Sequence, residues 1–239
     1  RADRELVKNL AALAALGVGV RYLACDVGDP EAVARALREV RDAGAIEGLL
    51  HGAGFEAAAP LERKSDATFT RTVAPKIDGL DALLAGLEDL THVVGFGSVS
   101  GRFGGHGQAD YALANEALAA RLRVLAARRP DLRVCAFDWA AFSEVGLAAR
   151  SSARAFLERT GQAFMTPREG AEHLFDELAA GLPEPEVVIC ADLTALDLDR
   201  TLAPPSAREG LVDLGRAGGA RRFEVALEPD APLLSEHRV

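Results

Sequence analysis

The residues best suited to chemistry lie in one stretch, where a serine, a tyrosine and an asparagine follow an apolar run. Ser98 stands at the end of a predicted strand, and Tyr111 opens a predicted helix 13 residues later. Asn115 follows Tyr111 by four residues, so the two share a helix face. The glycines between Ser98 and Tyr111 permit a tight loop, which would bring the two hydroxyl groups together.

These residue types suit the reduction of a ketone. When hydride adds to a carbonyl carbon, negative charge gathers on the oxygen, so a phenol can supply the proton while a second hydroxyl holds the oxygen. A free phenol has a pKa of about 10, and a nearby cation would stabilise its phenolate form. Lys76, in the segment Pro75-Lys76-Ile77-Asp78-Gly79 of the preceding predicted helix, is the candidate cation.

The elements that must position these residues alternate between strands and helices. Strands are predicted at 18–25, 47–51, 91–96, 133–137 and 186–190, and helices at 31–43, 66–87 and 109–127. This alternation favours an α/β fold, a Rossmann-like doubly wound parallel sheet. Ligands bind such sheets beyond the carboxyl ends of the strands, which directs attention to the loops at 25–27, 51–54, 97–101 and 138–146.

Two stretches interrupt the alternation. Residues 140–162 follow a strand end with weak helix and strand patterns, so we expect a mobile lid there. Residues 203–222 are rich in Pro, Gly and charge and are predicted to be a linker, after which residues 223–227 alternate like the start of a strand.

The composition excludes several kinds of function. The 239-residue chain has a net charge of −9, which argues against nucleic-acid binding. Its three cysteines, Cys25, Cys135 and Cys190, lie far apart without a metal-binding spacing, and they suit a reducing cytoplasm. No apolar run is long enough to span a bilayer. We therefore expect a cytoplasmic protein with no metal, no nucleic acid and no membrane among its partners.

The stretch around Ser98 and Tyr111 resembles the ketoreductase domains of type I polyketide synthases and polyunsaturated fatty acid synthases, which are short-chain dehydrogenases/reductases. Those domains share a hydroxyl-bearing loop, a Gly-Gln turn and a Tyr followed four residues later by Asn. Their Lys lies upstream, in a segment similar to Pro75–Gly79. Many carry two serines where this chain has Gly97-Ser98.

The resemblance implies four catalytic residues. Tyr111 would donate the proton, and Ser98 would bind the ketone oxygen. Lys76 would tune the phenol from a distance of roughly 4–6 Å and hold the cofactor ribose. Asn115 would assist the proton relay.

The resemblance also implies where the cofactor, expected to be NADPH, would bind. The strand-end Asp26 would contact the adenine. The full set of expected cofactor contacts is Asp26, Val27, His51, Gly52, Ala53, Gly54, Lys76 and Tyr111. A later segment is similar to the family's Trp-Gly-x-Trp approach to the substrate lid, although Ala140 and Phe142 replace its Gly and second Trp. The expected lid residues are Trp139, Phe142, Val145 and Gly146.

The resemblance further implies a domain organisation. Residues 1–200 are predicted to form a ketoreductase domain whose first βαβ unit is absent from this chain, because no G-x-G-x-x-G precedes Asp26. Residues 201–222 would be a linker. Residues 223–239 resemble the start of a dehydratase domain of hot-dog fold, with His237 as its possible catalytic residue.

The implied reaction is reduction of a β-ketoacyl chain, tethered by phosphopantetheine to an acyl carrier protein, with neighbouring synthase domains as partners. One alternative is a free-standing short-chain dehydrogenase for a small ketone. Such enzymes usually place Lys where this chain has Asn115. A second alternative is a degenerate domain kept as a structural spacer, against which the complete catalytic set argues.

Overall fold

A computed structural model describes residues 2–41, 44–144, 163–191, 211–217 and 220–225. The chain divides into two compact units, Arg1–Ala191 and Asp192–Val239. The predicted site residues Val145, Gly146 and His237 lie outside the described residues.

A sheet of four parallel strands forms the centre of the first unit. The strands β1 (Gly48–His51), β2 (His92–Ser98), β3 (Arg133–Trp139) and β4 (Glu186–Ile189) lie side by side in chain order. Ser98 is level with Trp139 in the register between β2 and β3. The strand ends that carry the candidate residues therefore meet at one edge, as the alternating pattern predicts.

Seven helices are described. They are α1 (Ala2–Ala15), α2 (Pro30–Arg41), α3 (Asp66–Val73), α4 (Asp78–Gly86), α5 (Val99–Phe103), α6 (Ala109–Arg128) and α7 (Pro167–Ala179). Successive strand residues face opposite sides of a sheet. Val93 accordingly packs in a cluster with residues of α4 and α6, and Val94 in another that contacts α7. Helices on both faces confirm the α/β Rossmann-like fold.

The predicted strand at 18–25 is wrong. No strand is assigned there in the described chain, and Val18, Val20 and Tyr22 are 53%, 43% and 54% exposed. A strand requires a hydrogen-bonded neighbour, and β1 pairs only with β2 among the described strands. An apolar run alone could not supply that partner. Helix α1 precedes this segment and was not predicted.

The single helix predicted at 66–87 is divided into α3 and α4. Pro75 stands between them, and a proline removes a backbone donor and clashes with the preceding helical turn. The chain instead forms a tight turn, in which the amide of Ile77 donates to the carbonyl of Val73 at 3.1 Å and that of Gly79 to Ala74 at 3.0 Å. This turn carries Lys76.

In the second unit, strands β5 (Leu211–Ala217) and β6 (Ala220–Val225) pair as an antiparallel hairpin. This differs from the linker predicted at 201–222 and from a strand beginning at Phe223. The signal missed in the sequence is Gly218-Gly219, since two glycines between alternating segments favour a two-residue hairpin connection.

Candidate active site

The turn between α3 and α4 buries Lys76 against the end of β2. The side chain is 5% exposed, and its Nζ donates a hydrogen bond to the carbonyl of Phe96. Burial lowers the pKa of Lys76 to about 8, while the Asp138 carboxylate opposes that shift. The ammonium is therefore held inside the protein at the carboxyl edge of the sheet. Phe96, whose carbonyl it contacts, lies two residues before Ser98 in the chain.

Ser98 and Tyr111 meet at this edge. Ser98 is the last residue of β2, and its Oγ also accepts the amide of Ser100 at 3.2 Å, which caps α5. Burial raises the pKa of the Tyr111 phenol, a hydrogen bond with Ser98 opposes the rise, and the Glu56 carboxylate adds to it. The amide side chain of Asn115 lies close enough to lower this pKa as well. The phenol consequently keeps its proton at neutral pH.

Asn115 is fully buried one turn further along α6. Its Nδ2 donates to the backbone carbonyl of Tyr111 at 2.7 Å, while its Oδ1 has no hydrogen-bond partner. The structure thus brings Ser98, Tyr111 and Asn115 together. The approach of Lys76 to the phenol stays a prediction, because the groups that shift the pKa of Tyr111 are Ser98, Glu56 and Asn115.

The turn after β1 borders Lys76. His51 is buried, and burial together with the Lys76 charge lowers the pKa of His51 to about 4, so its imidazole is neutral at pH 7. The His51 Nε2 is buried without a hydrogen-bond partner. A Cβ at Gly54 would lie 3.1 Å from Lys76 Cε, and the absence of a side chain at Gly54 therefore leaves room for the lysine.

The turn at Asp26–Gly28 contacts the same region. Asp26 is exposed, and its Oδ1 accepts the amide of Gly28 at 2.9 Å. Val27 packs against the start of α4, where a Cβ at Gly79 would lie 2.6 Å from its Cγ1. The predicted cofactor residues from the turn at 26–28 and from the loop after β1 therefore lie around the Lys76 turn, although contact with a cofactor stays a prediction.

Trp139 lies in a buried aromatic cluster at the end of β3. Its ring stacks on Phe137 with centroids 5.2 Å apart, meets Phe96 edge-on at 5.7 Å and lies 5.6 Å from Phe142. Phe142 forms an isolated bridge with Met165. These contacts anchor the start of the segment that was expected to form the lid.

A buried ion pair beside Tyr111 was missed by the sequence reasoning. Lys64 and Asp110 come from distant parts of the chain, and their charged atoms lie 2.7 Å apart. The position of Asp110 immediately before Tyr111 was the only feature of the sequence that could have indicated a role for Asp110 in the site. No local pattern could have indicated its lysine partner.

Asp138 was also missed. It lies beside Gly97 in the sheet register, is 1% exposed, and leaves its Oδ1 without a hydrogen-bond partner. A Cβ at position 97 would overlap that oxygen. Burial and the neighbouring Glu186 carboxylate raise the pKa of Asp138, whereas the Arg102 charge lowers it. Glu186 is itself paired with Arg102 and Arg123.

Neither a metal site nor a membrane-spanning helix is found where the chain is described. No three His, Cys, Asp or Glu residues in those ranges are grouped so that they could hold a metal ion. No helix there combines the length and the apolar character needed to cross a bilayer.

Comparison with known proteins gives a consistent result. Residues 1–144 match the family model described as the KR domain. A polyunsaturated fatty acid synthase subunit of Thraustochytrium sp. is 38% identical over 119 residues, which are 48% of this chain and 4% of that protein. The first curated relatives are all far longer, with matched shares between 3% and 6% of their lengths.

Solved structures agree with the family match. A ketoreductase domain from the bacillaene assembly line superposes with a TM-score of 0.68 at 30% identity, covering 80% of this chain and 46% of that one. A short-chain dehydrogenase of Burkholderia cenocepacia in complex with NADP gives a TM-score of 0.63 at 21% identity, with coverages of 75% and 79%. The second likeness concerns the fold alone.

Proposed function

This chain belongs to the family of KR domains, which are ketoreductases of the short-chain dehydrogenase/reductase superfamily, and we propose that it reduces a β-ketoacyl chain to the β-hydroxyacyl form with NADPH. The acyl chain would be tethered through phosphopantetheine to an acyl carrier protein, within a cytoplasmic synthase. The observation that carries the proposal is the meeting of Ser98, Tyr111 and Asn115 at the sheet edge where Lys76 is buried.

The residues present fit the nicotinamide and ribose end of such a cofactor. Gly54 leaves Lys76 uncrowded, and the buried Nε2 of His51 offers an unused hydrogen-bonding atom beside it. Lys76 and Tyr111 would hold the ribose, residues 51–54 would line the site, and Asp26 with Val27 would border the adenine. The cofactor, when bound, supplies the hydride.

Three side chains of the protein would bind the ketone oxygen, donate the proton and return it. The Ser98 hydroxyl would donate to the ketone oxygen as negative charge develops on it. The phenol of Tyr111 would give up its proton to that oxygen, and its raised pKa keeps the proton available at pH 7. Asn115, held by the Tyr111 carbonyl, would keep its free Oδ1 available for a water that returns the proton.

Replacing Ser98 with Ala tests this proposal. We expect kcat/KM for a β-ketoacyl pantetheine thioester to fall by about 10- to 100-fold, because one hydrogen bond to developing charge is lost. Ser98→Thr retains a hydroxyl and should recover part of that loss. The assay follows NADPH oxidation by the protein as its gene encodes it.

A matched control separates catalysis from loss of a helix cap. Thr166 caps α7 by accepting the amide of Glu169 at 3.2 Å, and it lies outside the catalytic set. Thr166→Ala should lower stability by about 1 kcal/mol and leave kcat/KM unchanged. Equal activity in Ser98→Ala and the wild-type protein would contradict the role given to Ser98.

Substrate choice distinguishes the synthase domain from a free-standing dehydrogenase. A carrier-tethered substrate gains contacts along the phosphopantetheine arm, so its kcat/KM should exceed that of the free small ketone. Comparable values for the two substrates would favour the free-standing alternative. NADPH binding without any reduction would favour a structural spacer.

A further inference from the structure

The Lys64–Asp110 ion pair is enclosed by protein on all sides. The two side chains are 2% and 0% exposed, and Lys64 Nζ lies 2.7 Å from Asp110 Oδ1. Lys64 follows a short 3₁₀ turn at Leu61–Arg63, and Asp110 lies in the first turn of α6. The pair therefore joins the loop that follows β1 to the helix that carries Tyr111.

Further hydrogen bonds satisfy both charges. Asp110 Oδ1 accepts the backbone amide of Tyr111 at 2.8 Å, and its Oδ2 accepts the hydroxyl of Thr72 on α3 at 3.0 Å. Lys64 Nζ also donates to the carbonyl of Ala57 at 2.7 Å. Three chain segments are consequently fastened to one carboxylate, immediately beside the proposed proton donor.

A second connection holds the same loop to the residues just before Tyr111. The amide of Ala59 donates to the carbonyl of Gly107 at 2.9 Å. Gly107 has φ +70°, and a Cβ there would lie 3.2 Å from the Ala59 backbone nitrogen, so glycine suits both the conformation and the close approach. The loop is thus attached to α6 through Asp110 and to its entry through Gly107.

This loop carries a charge that acts on the phenol. The Glu56 carboxylate raises the pKa of Tyr111, and Gln108 Nε2 donates to Glu56 Oε1 at 3.3 Å. Ser100, just after the Ser98 strand end, donates to Gln108 Oε1 at 2.9 Å. The distances from Glu56 to Tyr111 and to the loop after Ser98 therefore depend on how the loop that follows β1 is attached to α6.

Stability alone is a poor explanation for the ion pair. Burying two charges costs roughly what their attraction returns, and well-packed apolar residues often replace such pairs without loss of stability. A buried charged pair has the advantage of a fixed geometry, since each hydrogen bond has its own distance and direction. In this protein, the ion pair fixes the direction of the first turn of α6.

We propose that Lys64 and Asp110 are positioning residues, which fix the start of α6 so that the Tyr111 phenol is held against Ser98 and at a set distance from Glu56. The kinetic part of this inference rests on the proposed function. The structural part, that the ion pair fixes the start of α6, is independent of the proposed function.

The decisive variant replaces both charges with apolar residues, Lys64→Met with Asp110→Leu, because it leaves no unpaired buried charge and should fold. We expect kcat per folded molecule to fall by about 10-fold, since a displaced acid works poorly. The KM for NADPH should change by less than about 3-fold, because neither Lys64 nor Asp110 is among the residues proposed to bind the cofactor. Asp110→Leu and Lys64→Met are the single variants, and their losses should not add in the double variant.

Asp81→Asn is the matched control. Asp81 on α4 pairs with Arg121 on α6 at 2.8 Å, and both side chains are about half exposed. Arg121 lies ten residues after Tyr111 along α6, far from the candidate site. This variant also removes an ion pair that ties α6 to a neighbouring helix. We expect unchanged kcat and KM, since exposed pairs contribute little.

Amide hydrogen exchange supplies a readout that does not need activity. The Tyr111 amide and the Ala59 amide should exchange faster in the double variant, while the amides of β2 and β3 keep the wild-type rates. Unchanged exchange at Tyr111, or kcat within about 2-fold of wild type, would overturn the inference. A wild-type protein that reduces no ketone would refute the proposed function, and the exchange result would still decide the positioning role.

Discussion

Tyr111→Phe is expected to lower kcat for ketone reduction by about 10² or more while NADPH binding stays nearly intact. The phenylalanine ring fills nearly the same volume but has no proton to donate, and Ser98 loses its hydrogen-bonding partner at the phenol. The catalytic defect should therefore be far larger than the change in cofactor affinity. Turnover is measured with a β-ketoacyl thioester, and the Kd of NADPH by fluorescence titration.

Tyr22 provides the control for Tyr111. It is 54% exposed and lies outside the candidate site, so Tyr22→Phe should leave turnover unchanged. Near-normal turnover in Tyr111→Phe would remove Tyr111 from the catalytic role and with it the main support for the proposed reaction.

Lys76→Met is expected to produce a different pattern, in which both NADPH affinity and turnover fall. The ammonium is the group proposed to hold the ribose, and a lost hydrogen bond to a charged group weakens binding by about 10-fold. In the wild-type protein, kcat/KM should decline above a pH of about 8, where Lys76 loses its proton. That alkaline decline should disappear in Lys76→Met.

The same substitution should also change the pH dependence of stability. Lys76 binds its proton up to a pH of about 8 in the folded protein but up to 10.5 when unfolded. Between these values the unfolded state holds more protons, so the wild-type free energy of unfolding rises with pH relative to Lys76→Met, by about 3 kcal/mol in total. Parallel urea titrations from pH 7 to 10.5 measure the difference. A constant difference across that window would mean that Lys76 is not desolvated in the folded state.

The part of the site that could be predicted from the sequence lies within short segments. Ser98, Tyr111 and Asn115 belong to one strand–loop–helix unit, so their spacing along the chain predicts their spacing in the fold. The parallel sheet also follows from alternating patterns that are local. Pro75 was present in the predicted long helix, and the break there could have been foreseen from its missing amide donor.

The parts that could not be predicted depend on partners far along the chain. The apolar run at 18–25 has strand composition, but no described strand pairs with it. Lys64 looks like a solvated charge in the sequence, and only the packing of the loop against α6 buries it with Asp110. Asp138 sits in an apolar strand, where its neighbours Gly97 and Glu186 become visible only through the sheet register.

The contact between Gly97 and Asp138 couples the effects of substitutions at these two positions. Many of the ketoreductases that it resembles carry a serine where this chain has Gly97, yet here a Cβ at that position would overlap Asp138 Oδ1. Gly97→Ser alone should therefore lower the melting temperature, whereas the same change after Asp138→Ala should be tolerated; thermal unfolding of the two variants would test this. The effect of each residue depends on the other, so the two positions are epistatic. A smaller side chain at position 138 should therefore make a serine at position 97 easier to accommodate.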